Sequence, residues 1–434
     1  MCSDIVLERM GDSMGLEHTL PSAVGHESTK QGSFASGNQG PDFSNTEIAF
    51  QGLSDRALYQ SWLIFSSFRS HLLVTQGPKV AHGLMKLPLV GGTLVAPLIE
   101  KTIFKQFCGG TSLAACLPRV QELARWKVGA VLDYSVEGLG REEDFDAAAQ
   151  EILQTIRYAR TNQADLPLAV FKASGMIPSA LLEKKSQNQP LTPEETDLWN
   201  KGVARIEGLF AEAAACKVHL MVDAEETWIQ PAIDRIVYDG MEKYNRNGPV
   251  LFNTLQMYLS DRLDHMSQRL HDAREKGYHV GFKVVRGAYM EKERLWAQSQ
   301  GKQSPILSTK EDVDRSFNEA LRLGLEHHAR CALVIGTHNE PSTSYGIRLM
   351  GQMGIDRKDK RIVFSQLLGM SDHLSFNLAH HGYQVAKYVP YGPLDAVMPY
   401  LGRRAEENSS IHGQIGRELG LIQKEIKRRR SARS

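Results

Sequence analysis

VHLMVDAEE (218–226) and VGFKVVRGAY (280–289) decide the fold. Each is an apolar run of strand length that ends in charged residues. Six more runs share that form from Gly129 onward: AVLDYSVEG (130–138), LAVFKAS (168–174), VLFNTLQMY (250–258), ALVIGTHN (332–339), RIVFSQLLG (361–369) and YQVAKYVPYG (383–392). Amphipathic stretches such as DFDAAAQEILQTIRYAR and VARIEGLFAEAAA lie between them. Strand runs alternating with helical ones indicate parallel strands. Eight such units are what closes an α/β barrel of the (βα)8, TIM type. A doubly wound open sheet is the second candidate.

The polar residues of these runs sit toward their C-terminal ends: Glu137, Lys172, Asp223, Gln256, Lys283 with Arg286, His338, Gln366 and Tyr388. A barrel gathers all those ends at one mouth, where active sites are built. Singly, each has a plainer explanation; a strand-end lysine is usually solvated, and His338 suits a hydrogen-bonded core position. Together they predict a site. KYVPYGPLDAVMPYLGRRAEEN, Lys387 to Asn408, adds to it. On a helix, positions three and four apart share a face, so Tyr400, Arg403, Arg404 and Glu407 point one way. Two adjacent guanidinium groups suit a carboxylate. The competing explanation is a solvated RRxxE surface pair.

Length and composition set the frame. A chain of 434 residues with net charge +1 has no overall bias toward nucleic acid. Residues 1–45 are polar and Ser/Gly-rich and read as a flexible tail, too acidic for a presequence and without a secretory core. Residues 46–128 read as a helical N-terminal region, 129–415 as the barrel, and 416–434 as a C-terminal helix with a basic tail. That tail suits lipid or RNA, or is simply a solvated end. The apolar stretch Leu87 to Ile99 is shorter than the ~20 residues a membrane span needs; it reads as buried, with a membrane-surface contact as the alternative. Five scattered cysteines exclude a disulfide framework and a zinc site, so no metal is expected, and a reducing compartment fits. There is no P-loop, no GxGxxG and no nucleophile elbow. A flavin or nicotinamide would therefore have to sit at the barrel mouth, which, with its cations, suits an anionic ligand.

GFKVVRGAYMEKER (281–294), VDAEET (222–227), THN (337–339), QLLGM (366–370) and YVPYGP…YLGRRAEENSS (388–410) resemble the proline dehydrogenase family in its single-function, bacterial-type form. The resemblance runs in register from about residue 100 to 413. It implies FAD on a distorted (βα)8 barrel, oxidation of L-proline to Δ1-pyrroline-5-carboxylate as the first step of proline catabolism, and a membrane quinone as electron acceptor. It implies a cytoplasmic protein, with peripheral contact at the inner membrane's cytoplasmic face, and no nucleic-acid partner.

Residue by residue, the resemblance makes Asp223 and Lys283 the catalytic pair, with Lys283 facing flavin N5. Arg403, Arg404 and Lys172 take the proline carboxylate, and Tyr289, Leu367, Tyr388 and Tyr400 wall its ring. Ala224, Gln256, Lys283, Val285, Gly287, Ala288, Met290, Thr337, His338, Asn339 and Glu407 hold FAD. Glu137 pairs with Arg403 as a gate. Some members carry Arg at the position of Lys283 and Lys at that of Arg286, so here the flavin-facing donor becomes a point charge. The nearest alternative is hydroxyproline dehydrogenase, in which a small polar residue stands at the position of Tyr388. More distant are an unrelated barrel enzyme for a carboxylated or phosphorylated substrate and a non-catalytic or RNA-binding barrel.

Overall fold

The computed structural model describes residues 40–68, 95–136, 140–410 and 412–433, with backbone alone for 405–410 and 412–415. The expected tail up to residue 39, the apolar stretch from Leu87 to Thr93 with Leu94, and the Glu137 gate lie outside these residues, as does the side chain of Glu407.

Eight parallel strands close into a barrel in chain order: β1 (Gly129–Tyr134), β2 (Leu168–Lys172), β3 (His219–Asp223), β4 (Leu251–Gln256), β5 (Val280–Val285), β6 (Cys331–Gly336), β7 (Ile362–Leu367) and β8 (Val385–Tyr391). β1 and β8 complete the ring in a register running from Gly129↔Ala386 to Tyr134↔Tyr391. The expected barrel is present, and the open sheet is excluded by this closure.

Burial on both faces explains the nearly unbroken apolar runs. Val131, Val170, Met221, Phe252, Val334, Val363 and Ala386 fill the interior. Their alternating neighbours, Leu132, Phe171, Leu220, Leu333 and Phe364 among them, pack outward under the helices. Gly281 makes room for one interior ring: a Cβ there would lie 2.5 Å from the Phe252 ring. Helices Glu142–Thr161, Pro193–Cys216, Gln230–Tyr244 and Lys310–Glu326 belong to the outer layer. The helix Pro193–Cys216 starts at a capping box of Thr192 and Glu195.

A second core positions the arginine-bearing helix. Phe50, Leu58, Phe65 and Phe107 from the N-terminal helices pack with Val397, Met398, Tyr400 and Leu401 of helix Leu394–Ser410. Leu419 and Ile422 of helix His412–Ser431 join them. Thus the N-terminal helices back the helix that carries Arg403 and Arg404.

The basic end is not a solvated tail. Glu425 is fully buried and accepts from Arg428 Nε at 2.8 Å and Arg429 Nε at 2.7 Å. Arg429 also donates to the Phe50 and Leu53 carbonyls at 2.7 Å and to Asp55 at 3.0 Å. Lys424 reaches the Ser44 carbonyl at 2.7 Å. These bonds fasten helix His412–Ser431 to helices Thr46–Ala49 and Asp55–Ser67. The sequence showed a run of like charge, but the partners lie more than 370 residues away in the chain. No helix among the described residues is long and apolar enough to cross a membrane.

Removing Arg429 takes from buried Glu425 one of its two arginine partners and cuts the ties to the Phe50 and Leu53 carbonyls and to Asp55. Arg429→Ala is expected to cost ~2–4 kcal/mol in urea unfolding, whereas Lys427→Ala, on the exposed side of the same helix, stays within ~0.5 kcal/mol. Equal effects would show that charge, not docking, matters there.

Candidate active site

The side chains at the C-terminal ends of β3, β5 and β8 meet. Asp223 Oδ1 lies 2.5 Å from Lys283 Nζ, and Asp223 Oδ2 accepts from the Tyr388 hydroxyl at 2.7 Å. The Lys283 ammonium also sits 4.7 Å from the Tyr388 ring centroid, within cation–π range. All three residues are buried. Burial alone would raise the Asp223 pKa; the Lys283 and Lys172 charges and the bonds from Lys283 and Tyr388 outweigh it and hold the carboxyl below its usual range. Burial, then the Asp133 and Asp223 charges, push the Tyr388 phenol well above its usual value. Asp223 is therefore a fixed anion and Tyr388 a fixed donor at neutral pH.

On the β1–β2 side, Lys172 Nζ lies 3.5 Å from Asp133 Oδ2, which also accepts from the Ser135 hydroxyl. Asp133 is the counterion the sequence reading missed. It stands two residues after inward-facing Val131, and that period-two phase was the available signal.

The segment Gly287–Ala288 follows β5 and is exposed. Gly287 has φ +138°, and a Cβ there would lie 2.5 Å from the Tyr258 ring. Gln256 pins this turn, accepting from Ala288 N at 3.1 Å and donating to the Glu225 carbonyl at 2.8 Å. Its amide is thus engaged with the backbone of both neighbouring loops. Arg286 donates to Thr337 Oγ1, Ser342 Oγ and Asp314, each at 2.8 Å. Thr337 Oγ1 also accepts from Asn339 N at 3.1 Å. The Asn339 side chain caps helix Glu340–Gln352 through Ser342 N at 2.9 Å. His338 Nδ1 lies 2.9 Å from Ser371 Oγ. Burial, then the Lys387 and Arg404 charges, push the His338 imidazole down to about 3, so it is neutral.

The Arg404 guanidinium stacks over the Tyr400 ring at 5.0 Å, and both residues are buried. The expected shared face of these two is present. Arg403, Tyr289, Val285 and Leu367 are half-buried, Met290 is exposed, and Ala224 is buried. Thr254 Oγ1 is a buried hydroxyl with no hydrogen-bond partner. It lies on the interior-facing side of β4, in register with Lys283. A turn that only glycine can form, an unpaired interior hydroxyl and a largely cationic donor set suit a large, phosphate-bearing, acceptor-rich cofactor.

A closed (βα)8 barrel with paired buried charges at its strand ends has the architecture on which barrel enzymes build their sites. The family model for proline dehydrogenase matches residues 116–417, and the chain belongs to that family. It is 37% identical over 323 residues to the carbapenem antibiotics biosynthesis protein CarD of Pectobacterium carotovorum subsp. carotovorum, covering 74% of this chain and 83% of the relative. It is 40% identical over 261 residues to the human mitochondrial proline dehydrogenase 1, covering 58% of this chain and 43% of the relative. In fold it is similar to proline utilization A (PutA) from Bdellovibrio bacteriovorus, in a crystal structure inactivated by N-propargylglycine. There the TM-score is 0.68 at 17% identity, over 85% of this chain and 42% of that one. This chain thus spans less than half of that solved protein.

Two outcomes follow from the electrostatics. Lys283→Met leaves Asp223 buried without its cation and should cost ~3–5 kcal/mol in urea unfolding. Adding Asp223→Asn should recover part of that loss; a further loss would contradict the pairing. Glu225 accepts from Ser174 N at 2.9 Å. Burial raises its pKa to about 7 from 4.5, against the Ser174 bonds and helped by Glu226. Its stabilising contribution is full below the unfolded value and is lost as pH rises through the folded one. Glu225→Gln should therefore gain stability relative to wild type on going from about pH 4 to about pH 8. Parallel stability curves would refute the shift.

Proposed function

We propose that this chain oxidises L-proline to Δ1-pyrroline-5-carboxylate, with FAD as resident cofactor and a membrane quinone as final electron acceptor. The observation that carries the reading is the buried Asp223–Lys283–Tyr388 cluster facing a mouth that also holds Lys172 and the Arg404–Tyr400 stack. Family membership supports the substrate.

FAD would be held by the Gly287–Ala288 turn, by Thr337, His338 and Asn339 at the end of β6, and by Lys283, with Ala224, Val285, Met290 and Glu407 as further contacts. Gln256 would act through the turn it pins. When bound, FAD supplies the acceptor for the hydride that proline loses.

Arg403, Arg404 and Lys172 take the proline carboxylate. Asp133 holds Lys172 near the mouth. Holding the carboxylate at several points fixes the ring and sets the carbon next to its nitrogen, which is positioning catalysis. Tyr388, Tyr400, Tyr289 and Leu367 exclude water from the ring. The ring nitrogen must shed a proton before its lone pair can enter the C=N bond, and the surrounding cations favour the neutral amine. Lys283 contributes positive charge where electron density accumulates. Glu137 and Arg403 close the site once substrate is in place.

Tyr388 also favours proline over trans-4-hydroxyproline. Its hydroxyl proton is committed to Asp223, which fixes the phenol in place, so the ring hydroxyl would compete for the space that the phenol fills.

Arg404→Ala is expected to raise the proline KM by ~30-fold or more with flavin content kept, read by proline-dependent dye reduction; an unchanged KM removes the carboxylate assignment. Wild type should prefer proline over hydroxyproline by ~10–100-fold, and Tyr388→Ser should narrow that ratio. A wild-type preference for hydroxyproline, measured as kcat/KM on both substrates, would select the alternative enzyme.

A further inference from the structure

Ser371 stands at the N-cap of helix Asp372–His380, where serine normally accepts from a first-turn N–H. It makes no such bond. Its backbone is left-handed, at φ 51° and ψ 43°. That region is unfavourable for an L-residue other than Gly, Asn or Asp. Ser371 is also almost fully buried. Its carbonyl accepts from Leu374 N at 3.0 Å and Ser375 N at 3.2 Å, and its N–H faces the Glu418 carboxyl of helix His412–Ser431. The backbone is thereby held from both sides in a conformation that glycine would adopt without strain. What glycine would not supply is the hydroxyl, and that hydroxyl lies 2.9 Å from His338 Nδ1.

The groups facing His338 keep its ring neutral, and a neutral ring meets the Ser371 hydroxyl at Nδ1 either as acceptor or as donor. Lys387, Arg404 and Arg286 surround it with positive charge, and the ring is neutral. A neutral ring that accepts at Nδ1 carries its proton on Nε2.

We propose that Ser371 is a positioning residue: its hydroxyl donates to His338 Nδ1, locks the imidazole in the Nε2–H tautomer and makes it a hydrogen-bond donor to the cofactor. The cofactor part rests on the reading of His338 given above. The strained backbone at Ser371 is the structural cost of placing a hydroxyl there.

The test uses the full-length protein labelled with ¹⁵N-histidine, the His338 signals being those that vanish in His338→Ala. Wild type is expected to show Nδ1 unprotonated and Nε2 protonated. Ser371→Ala and Ser371→Gly should both shift the ring toward a tautomer mixture, while Ser371→Thr, which keeps the hydroxyl, retains the wild-type form. Thermal melting should separate strain from hydroxyl: Ser371→Gly melts higher than Ser371→Ala although the two have the same ring signals. Ser371→Ala and Ser371→Gly should bind FAD about 5-fold more weakly than wild type, as for one lost hydrogen bond. Unchanged ring signals in both variants, or a wild-type ring protonated at Nδ1, overturns the proposal. Full FAD affinity in His338→Ala would remove the cofactor reading alone, because the ring signals report the Ser371 contact independently.

Discussion

Closure of the barrel through β1 and β8 is the constraint on which the rest depends. It brings Tyr388 beside Val131, with Asp133 two residues further on, and gathers all eight strand ends at one mouth. An open sheet would leave β1 and β8 at opposite edges, and Tyr388 could not reach Asp223, 165 positions earlier in the chain. Because the mouth is lined by apolar interior side chains, its charges are largely desolvated and must be paired. Lys283 with Asp223 and Lys172 with Asp133 are those pairs. Their cost is met by the packed layers below, and their geometry is what a carboxylated amine substrate would encounter.

A second layer of support lies outside the barrel. The helix bearing Arg403 and Arg404 is packed from behind by the N-terminal helices, and these are tied down by Arg429 and Glu425 near the other end of the chain. Helix His412–Ser431 therefore touches the mouth indirectly twice: through this second core, and through Glu418 at the Ser371 backbone. A site built on strand ends becomes rigid only when the loops and helices above it are fixed as well.

Much of this was legible in the sequence. Eight apolar runs broken by amphipathic stretches gave the barrel because burial on both faces leaves a compositional mark. Lys172, Asp223, Lys283 and Tyr388 were legible because charged or phenolic groups at the ends of such runs interrupt the apolar pattern. Tyr400 and Arg404 were legible from helical spacing. Asp133 was missed because Glu137, four residues on, drew the reading to the end of the run and away from the alternation inside it. Ser371 was missed because nothing in a serine after QLLGM announces a left-handed backbone. The role of Arg428 and Arg429 was missed because a charge run looks the same whether solvated or docked on a distant helix. The last two depend on contacts between distant parts of the chain, which no local pattern encodes.

The central claim is that proline delivers electrons to a flavin at this mouth. The most direct measurement is the visible absorption spectrum of the purified protein, taken without oxygen before and after addition of L-proline. The account predicts a yellow protein whose flavin band bleaches on adding L-proline, and bleaches far less with the same protein carrying Arg404→Ala. A colourless protein that cannot be reconstituted with FAD, or a flavin band unmoved by L-proline, would contradict it.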